Sequence, residues 1–218
     1  MKEYQQLHLA LGSFVKKWKP IIIYHLMHSG TKRYSELQKL IPDVNKRMLT
    51  LSLRELEADK IISRKVYQVV PPKVEYSITE YGKSLANILS LMNDWGKEHI
   101  LEEEGGHATE DNPENVCQAL TTINMIVGKW KPIIIMELIE GKRRFSELQK
   151  NIPHINKRML TNHLRDLESE GIIHRQVYQE IPPKVVYSIT EYGKSLEPIL
   201  KQLNIWSEKH LLNFQDNN

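Results

Sequence analysis

Cysteine is almost missing from this 218-residue chain: Cys117 is the only one. That excludes an intrachain disulfide and fits a reducing compartment. An apolar run of membrane-spanning length is also missing, as are the features of a secretory signal peptide, so no membrane partner is expected. Met1-Lys-Glu-Tyr-Gln5 reads as the start of a mature cytoplasmic chain. No Gly-rich phosphate loop, nucleophile motif or paired acid–base constellation occurs, so no catalytic residue, cofactor or enzymatic activity is expected. His25 and His28 stand three apart without a third ligand placed beside them, which argues against a metal site.

What is there is charge, unevenly placed. The formal net charge of +3 hides three blocks. Residues 1–101 hold 16 Lys+Arg against 10 Asp+Glu, residues 102–116 hold six acids and no base, and residues 117–218 hold 14 bases against 11 acids. Two basic modules joined by an acidic connector favour a polyanionic partner, through phosphate neutralisation and counterion release.

The blocks coincide with an internal repeat. Trp18-Lys-Pro-Ile-Ile-Ile23 returns as Trp130-Lys-Pro-Ile-Ile-Ile135, and from Arg33 onward the offset drops by one because Ser29 has no counterpart. Residues 31–101 and 142–212 are identical at roughly 60% of positions. The unit is too long for a solenoid, so each copy should be a whole domain with its own core.

Each copy predicts the same order of elements. A first helix carries Leu7, Leu11, Phe14 and Val15, and in the second copy Leu120, Ile123, Met125 and Val127. A second starts near Pro20 and ends at Gly30, with Gly141 as the later equivalent. A short third helix over 35–41 is stopped by Pro42. After a fourth helix come strands over 61–70 and 74–78, with Pro71-Pro72-Lys73 at the hairpin tip, and then 172–181 and 185–189 around Pro182-Pro183-Lys184. Thr79 and Thr190 should cap one long closing helix each. The fold class is mainly α with small β-hairpins (α+β). Three helices, a hairpin and a closing helix make a winged helix-turn-helix domain, here present twice.

The fourth helix carries the function. Asn45 stands at its N-cap, and Leu49, Leu53 and Leu56 form one apolar stripe. Arg47, Leu51 and Arg54 then point outward, with Thr50 on the flank and no acid in the first two turns of that face. Arg158, Asn162, Arg165 and Thr161 repeat the arrangement behind Asn156. An ordinary solvated surface helix is the plain alternative, made less attractive by the repetition.

These motifs resemble the HxlR-type regulators, a bacterial branch of the MarR-like winged-helix proteins. The resemblance rests on Gly128-Lys-Trp-Lys-Pro-Ile-Ile-Ile135, Arg144-Phe-Ser-Glu-Leu148, Lys157-Arg-Met-Leu-Thr161, Leu164-Arg-Asp-Leu-Glu168, Pro182-Pro-Lys-Val-Val-Tyr187 and Ser188-Ile-Thr-Glu-Tyr-Gly193. The first copy matches equally well, except that Ser13-Phe-Val-Lys-Lys17 replaces the glycine-containing approach to Trp18. Such proteins resemble homodimers with one recognition helix and one wing per subunit. By that resemblance the chain is an intramolecular pseudo-dimer and a cytoplasmic, nucleoid-associated repressor on an imperfect inverted repeat. Its parts are domain 1 (1–101), an acidic linker (102–115), domain 2 (116–212) and a tail (213–218). A monomer is expected, with a domain-swapped dimer as the alternative.

The double-stranded DNA partner divides the candidate residues by task. Arg47, Arg54, Arg158 and Arg165 can bond guanine edges or phosphates, and Lys46 and Lys157 beside the helix starts phosphate. Thr50 and Thr161 can touch base or phosphate. The copies differ where Leu51 and Ser52 become Asn162 and His163. Asn can read adenine with two bonds and Leu can only cover a thymine methyl, so the half-sites should be unequal. Arg64 and Lys73, with Arg175 and Lys184, serve the wings; Arg33, Arg143 and Arg144 can hold phosphate. Trp95 and Trp206 are core or interdomain residues. Cys117 stands where the resembling proteins carry a cysteine that in some senses oxidants or electrophiles. It is therefore the candidate sensor for a redox or small-molecule inducer, with a half-buried helix residue as the alternative. A winged module that has lost DNA binding and joins proteins instead is the other functional reading.

Overall fold

The computed structural model describes residues 18–70, 72–104, 128–180 and 184–215, the side chains of 99–104 and 211–215 excepted. The expected first helices, Cys117, linker residues 105–115, the Pro71 and Pro182-Pro183 tips and residues 216–218 lie outside the described residues. The chain divides into two compact units, one holding the described residues through 104 and the other those from 128.

In the first unit α1 (Lys19–His28) opens with Pro20, whose fixed φ suits a first helical turn. Ile21, Ile22, Ile23 and Leu26 are all buried, so this helix is the hub of the core and not a surface helix with one wet face. It stops at Ser29, whose N–H bonds the carbonyl of His25, and Gly30 takes a φ of +71° to turn the chain. Strand β1 (Lys32–Arg33) leads into α2 (Tyr34–Leu40), where Glu36 Oε2 accepts from the Arg33 N–H at 2.6 Å. A turn anchored by buried Ile41 and Val44 delivers the chain to α3 (Lys46–Ala58). Leu49, Leu53 and Leu56 are 0–2% exposed, each contributing about 1.5–3 kcal/mol by burial.

The wing is β2 (Ile62–Tyr67) and β3 (Lys73–Ile78), antiparallel from Ile62↔Ile78 to Tyr67↔Lys73. The sequence predicted a two-stranded hairpin; β1 adds a third strand, in the order β1-β3-β2, through Lys32↔Tyr76 and Arg33↔Glu75. A two-residue strand has no periodicity to read, which is why it escapes a sequence pattern.

The closing segment is also two helices where one was expected: α4 (Glu80–Lys83) and α5 (Ala86–Glu104). Thr79 does cap, its Oγ1 accepting from the Gly82 N–H at 2.9 Å, but it caps the short helix. Ser84 Oγ then donates to the Tyr81 carbonyl at 2.6 Å, and the chain breaks there as Leu85 turns fully inward. Gly82 lies against the backbone of Ile61, where a Cβ would stand 2.2 Å from the carbonyl oxygen.

The second unit repeats each element. These are α6 (Lys131–Ile139), β4 (Arg143–Arg144), α7 (Phe145–Asn151), α8 (Lys157–Ser169), β5 (Ile173–Tyr178), β6 (Lys184–Ile189), α9 (Glu191–Lys194) and α10 (Glu197–Gln215). The sheet order is again β4-β6-β5. Trp95 and Trp206, on α5 and α10, are both buried. No helix among the described residues is long and apolar enough to cross a membrane.

Candidate nucleic-acid interface

The recognition helices are fixed at their starts by side-chain caps. Asn45 Oδ1 accepts from the Met48 N–H and Asn156 Oδ1 from the Met159 N–H, both at 2.8 Å. Neither first turn holds an acid. The positive end of each helix dipole is therefore left unneutralised beside Lys46-Arg47 and Lys157-Arg158, an arrangement suited to an anion. With the leucine stripe turned inward, Arg47, Leu51 and Arg54, and likewise Arg158, Asn162 and Arg165, are exposed. Leu51 is 45% exposed, an unusual place for a large apolar side chain on a cationic face.

The cations of this face are unpaired, as are exposed lysines elsewhere such as Lys39, Lys150 and Lys194. Lys46, Arg47, Arg54 and Arg64, and Lys157, Arg158, Arg165 and Arg175, make no ion pair and no side-chain hydrogen bond among the described residues. Behind the face the pattern reverses. Lys19 pairs with Glu55 at 3.0 Å, Lys131 with Glu170 at 2.6 Å, and Arg143 with Glu137 at 3.4 Å and Glu140 at 3.2 Å. A helix arginine and a wing arginine meet across a cleft in each unit. In the first it is about 360 Å³, lined by Thr50, Arg54, Glu57, Arg64 and Tyr76. In the second it is about 320 Å³, with Arg165 and Arg175 facing Glu168. Neither Glu57 nor Glu168 is among the sequence candidates for this face. Their place three residues after the outward arginines is the signal that sets them beside those arginines.

Other candidates sit differently. Thr50 and Thr161 are half-buried, and their hydroxyls donate back to the Lys46 and Lys157 carbonyls at 2.8 Å. The cap oxygens of Asn45 and Asn156 are likewise spent on backbone. Ser52 is buried and His163 half-buried, so the pair turns toward the core side and not to the outward face. His163 Nδ1 is enclosed without a partner; burial, with the Lys131 charge adding to it and Asp166 opposing, holds its pKa below the ordinary value of 6.5. Arg143 is engaged with two glutamates, whereas Arg144 is exposed and its side chain has no partner.

The wings differ in one acid. In the first, Glu75 Oε1 holds Lys73 Nζ at 2.6 Å, and the Glu75 carboxyl is pulled below its ordinary pKa by hydrogen bonds from Lys73 and Tyr67 and by the charges of Lys73 and Arg33. In the second, Val186 takes the place of Glu75 opposite Arg144, and Lys184 lies 5.2 Å over the Tyr178 ring. Among the described residues no group of three or more His, Cys, Asp or Glu side chains is placed to hold a metal ion.

Known proteins resemble this chain in sequence. The sequence model of the HxlR-like helix-turn-helix family matches residues 14–104 and again 125–214. YdeP of Bacillus subtilis, an HTH-type transcriptional regulator, is 51% identical over 94 residues, covering 43% of this chain and 73% of that protein. An HTH-type transcriptional regulator of Methanothermobacter thermautotrophicus is 46% identical over 107 residues, covering 48% of this chain and 82% of the relative. Among solved structures, the redox regulator HypR in its reduced form is 47% identical, with a TM-score of 0.42 over 44% of this chain and 95% of that one. The chain belongs to the HxlR-like helix-turn-helix family, carries its domain twice, and is a transcriptional regulator of the DNA-binding kind rather than an enzyme.

Proposed function

We propose that the chain represses transcription as an intramolecular pseudo-dimer, each unit reading one half of an imperfect inverted repeat with its recognition helix and wing. In this reading residues 1–101 and 116–212 are the two DNA-binding domains, and 102–115 is the acidic connector between them. The observation that carries it is the doubled set of exposed, unpartnered cations on α3 with β2 and on α8 with β5. Unpaired arginines two helical turns apart, beside an unneutralised helix start, match a phosphate backbone and guanine edges. The relatives support the fusion, since each match takes less than half of this chain but most of the relative's own length. A tether raises the effective concentration of one half-site reader for the other. Such a protein blocks polymerase by occupying its site. A redox or electrophilic inducer would act through the Cys117 thiol.

Selection of random duplex DNA by the purified chain, repeated across a salt series and with reduced and oxidised protein, tests the reading. The expected product is one motif with two unequal half-sites about one helical turn, ~34 Å, apart. Its affinity should fall steeply with salt, and sedimentation should give one chain per duplex. Salt-dependent binding without enrichment would make the protein an architectural binder. No binding at low salt in either redox form would leave a winged module that joins proteins.

A further inference from the structure

The recognition helices are charged against their own dipoles at the far end. The last turns of α3 and α8 hold no base, and both are acidic: Glu55, Glu57 and Asp59 in one, Asp166, Glu168 and Glu170 in the other. A helix C-terminus favours cations, so these acids need a counter-charge. It comes from another helix. Lys19, the first residue of α1, is 1% exposed, and its Nζ lies 3.0 Å from Glu55 Oε2 and 3.4 Å from Asp59 Oδ2. Lys131, the first residue of α6, is 9% exposed and donates to Glu170 Oε1 at 2.6 Å. A cation is equally unfavourable at the start of its own helix, so each lysine satisfies two helix ends only by reaching from one to the other.

Stability alone is a weak reason for such a pair. Desolvating an ammonium group costs most of what the pairing returns, and apolar replacements are often tolerated. What a buried ion pair does supply is direction: one nitrogen must meet particular oxygens, whereas apolar surfaces slide. Resting on the DNA-reading function above, we propose that Lys19 and Lys131 are positioning residues for sequence recognition. Each locks the acidic end of its recognition helix to the core helix and so sets the angle at which the cationic end meets the base edges.

The test uses the full chain and the duplex enriched by the selection. Lys19→Met and Lys131→Met are compared with wild type on that duplex and on an unrelated one, with salt slopes and thermal melts. Affinity for the enriched duplex should fall roughly tenfold, the loss of about one well-made base contact, while unrelated-duplex affinity and salt slope stay unchanged. Base changes in the half-site read by the altered unit should lose most of their penalty, and those in the other half-site should keep theirs. Full discrimination in both half-sites overturns the proposal. Equal loss on both duplexes also overturns it, because a lysine needed only for the fold behaves that way. Should Lys19→Met not fold, the charge-free Lys19→Met/Glu55→Gln/Asp59→Asn chain decides by the same criteria, and its own failure to fold assigns the cluster to stability. If wild type enriches no motif, the DNA-reading function itself has failed and this inference falls with it.

Discussion

The two units are built on one scaffold and differ where that scaffold allows it. Strand registers, the threonine caps, Gly82 with Gly193 and the leucine stripes coincide residue for residue. The closing helices differ at many positions, and three further places bear on charge and on the outward face. Behind α1, His25 of the first unit is buried with its Nε2 unpartnered. The matching Glu137 is fully buried but accepts from Arg143 and from Asn151 Nδ2 at 3.0 Å. On the outward face Leu51 corresponds to Asn162, and in the wing Glu75 corresponds to Val186. The caps, registers and leucine stripes have stayed the same, while core positions of the closing helices (Met92 and Leu203, Gly96 and Ser207) and positions that meet solvent or a neighbouring charge have changed. Lys32 and Leu40 became Arg143 and Asn151 where His25 became Glu137, as a buried carboxylate demands donors.

The largest effect is expected where a single substitution unfolds one unit. Gly82→Ala places a Cβ 2.2 Å from the Ile61 carbonyl, and Gly193→Ala does the same to Ile172. A backbone atom cannot step aside as a flexible side chain can. Each change should cost on the order of 3 kcal/mol or more and melt its own unit first. Calorimetry of the two variants checks this: matched losses are expected, and a wild-type melt for either would mean the contact is softer than its geometry.

An exchange between the two recognition helices has a subtler effect. Leu51→Asn with Asn162→Leu should trade the base preferences of the two half-sites at the facing positions. The preferences should shift by about 1–3 kcal/mol for each bidentate hydrogen-bonded pair formed or removed, with the salt slope unchanged. A repeat of the duplex selection reads this directly, and an unaltered motif would place both residues off the bases.

Acid should weaken each unit by a smaller margin, through one buried or half-buried histidine in each. His25 and His163 are both held below the ordinary imidazole pKa of 6.5, chiefly by burial. For His25 the charges of His28 and then Lys32 add to that, and for His163 Lys131 does. The unfolded chain therefore takes up protons first as pH falls. Stability is full above the unfolded value and declines below it, until the folded imidazole also protonates. His163→Ser, which installs the residue of the first unit, should flatten that decline for the second unit alone. Melting curves between pH 5 and 8 measure it; an unchanged slope would mean that His163 titrates normally.

Much of this was legible beforehand, for a physical reason. The recognition helix announces itself because cap, stripe and outward arginines lie within one helical period of each other. Pairing is not legible in that way. Nothing in the sequence separates Arg143, held by two glutamates, from Arg144, whose side chain is exposed. Glu137 and Glu140 stand only six and three residues before Arg143, but whether the side chain turns back to them is set by how the chain leaves α6 for β4. The break between α4 and α5 escaped for a related reason, since Ser84 and Leu85 are acceptable helix residues until a carbonyl and a core are placed beside them.

The finest difference lies in a turn. After α3, Lys60 adopts a φ of +56°, and its counterpart after α8 is Gly171 at +70°. The left-handed conformation crowds a Cβ against the following carbonyl, whereas glycine has none. Glycine also gives the unfolded chain more freedom, which offsets part of the relief. The two terms leave a net gain of roughly 0.5 kcal/mol for Lys60→Gly. The reverse change, Gly171→Lys, should cost a similar amount, as no atom stands within 4 Å of a Cβ built at Gly171 and only the backbone term acts. Opposite shifts of equal size in the two melting transitions are expected. A loss on Lys60→Gly would show that the lysine side chain stabilises the first unit by more than its backbone strain costs.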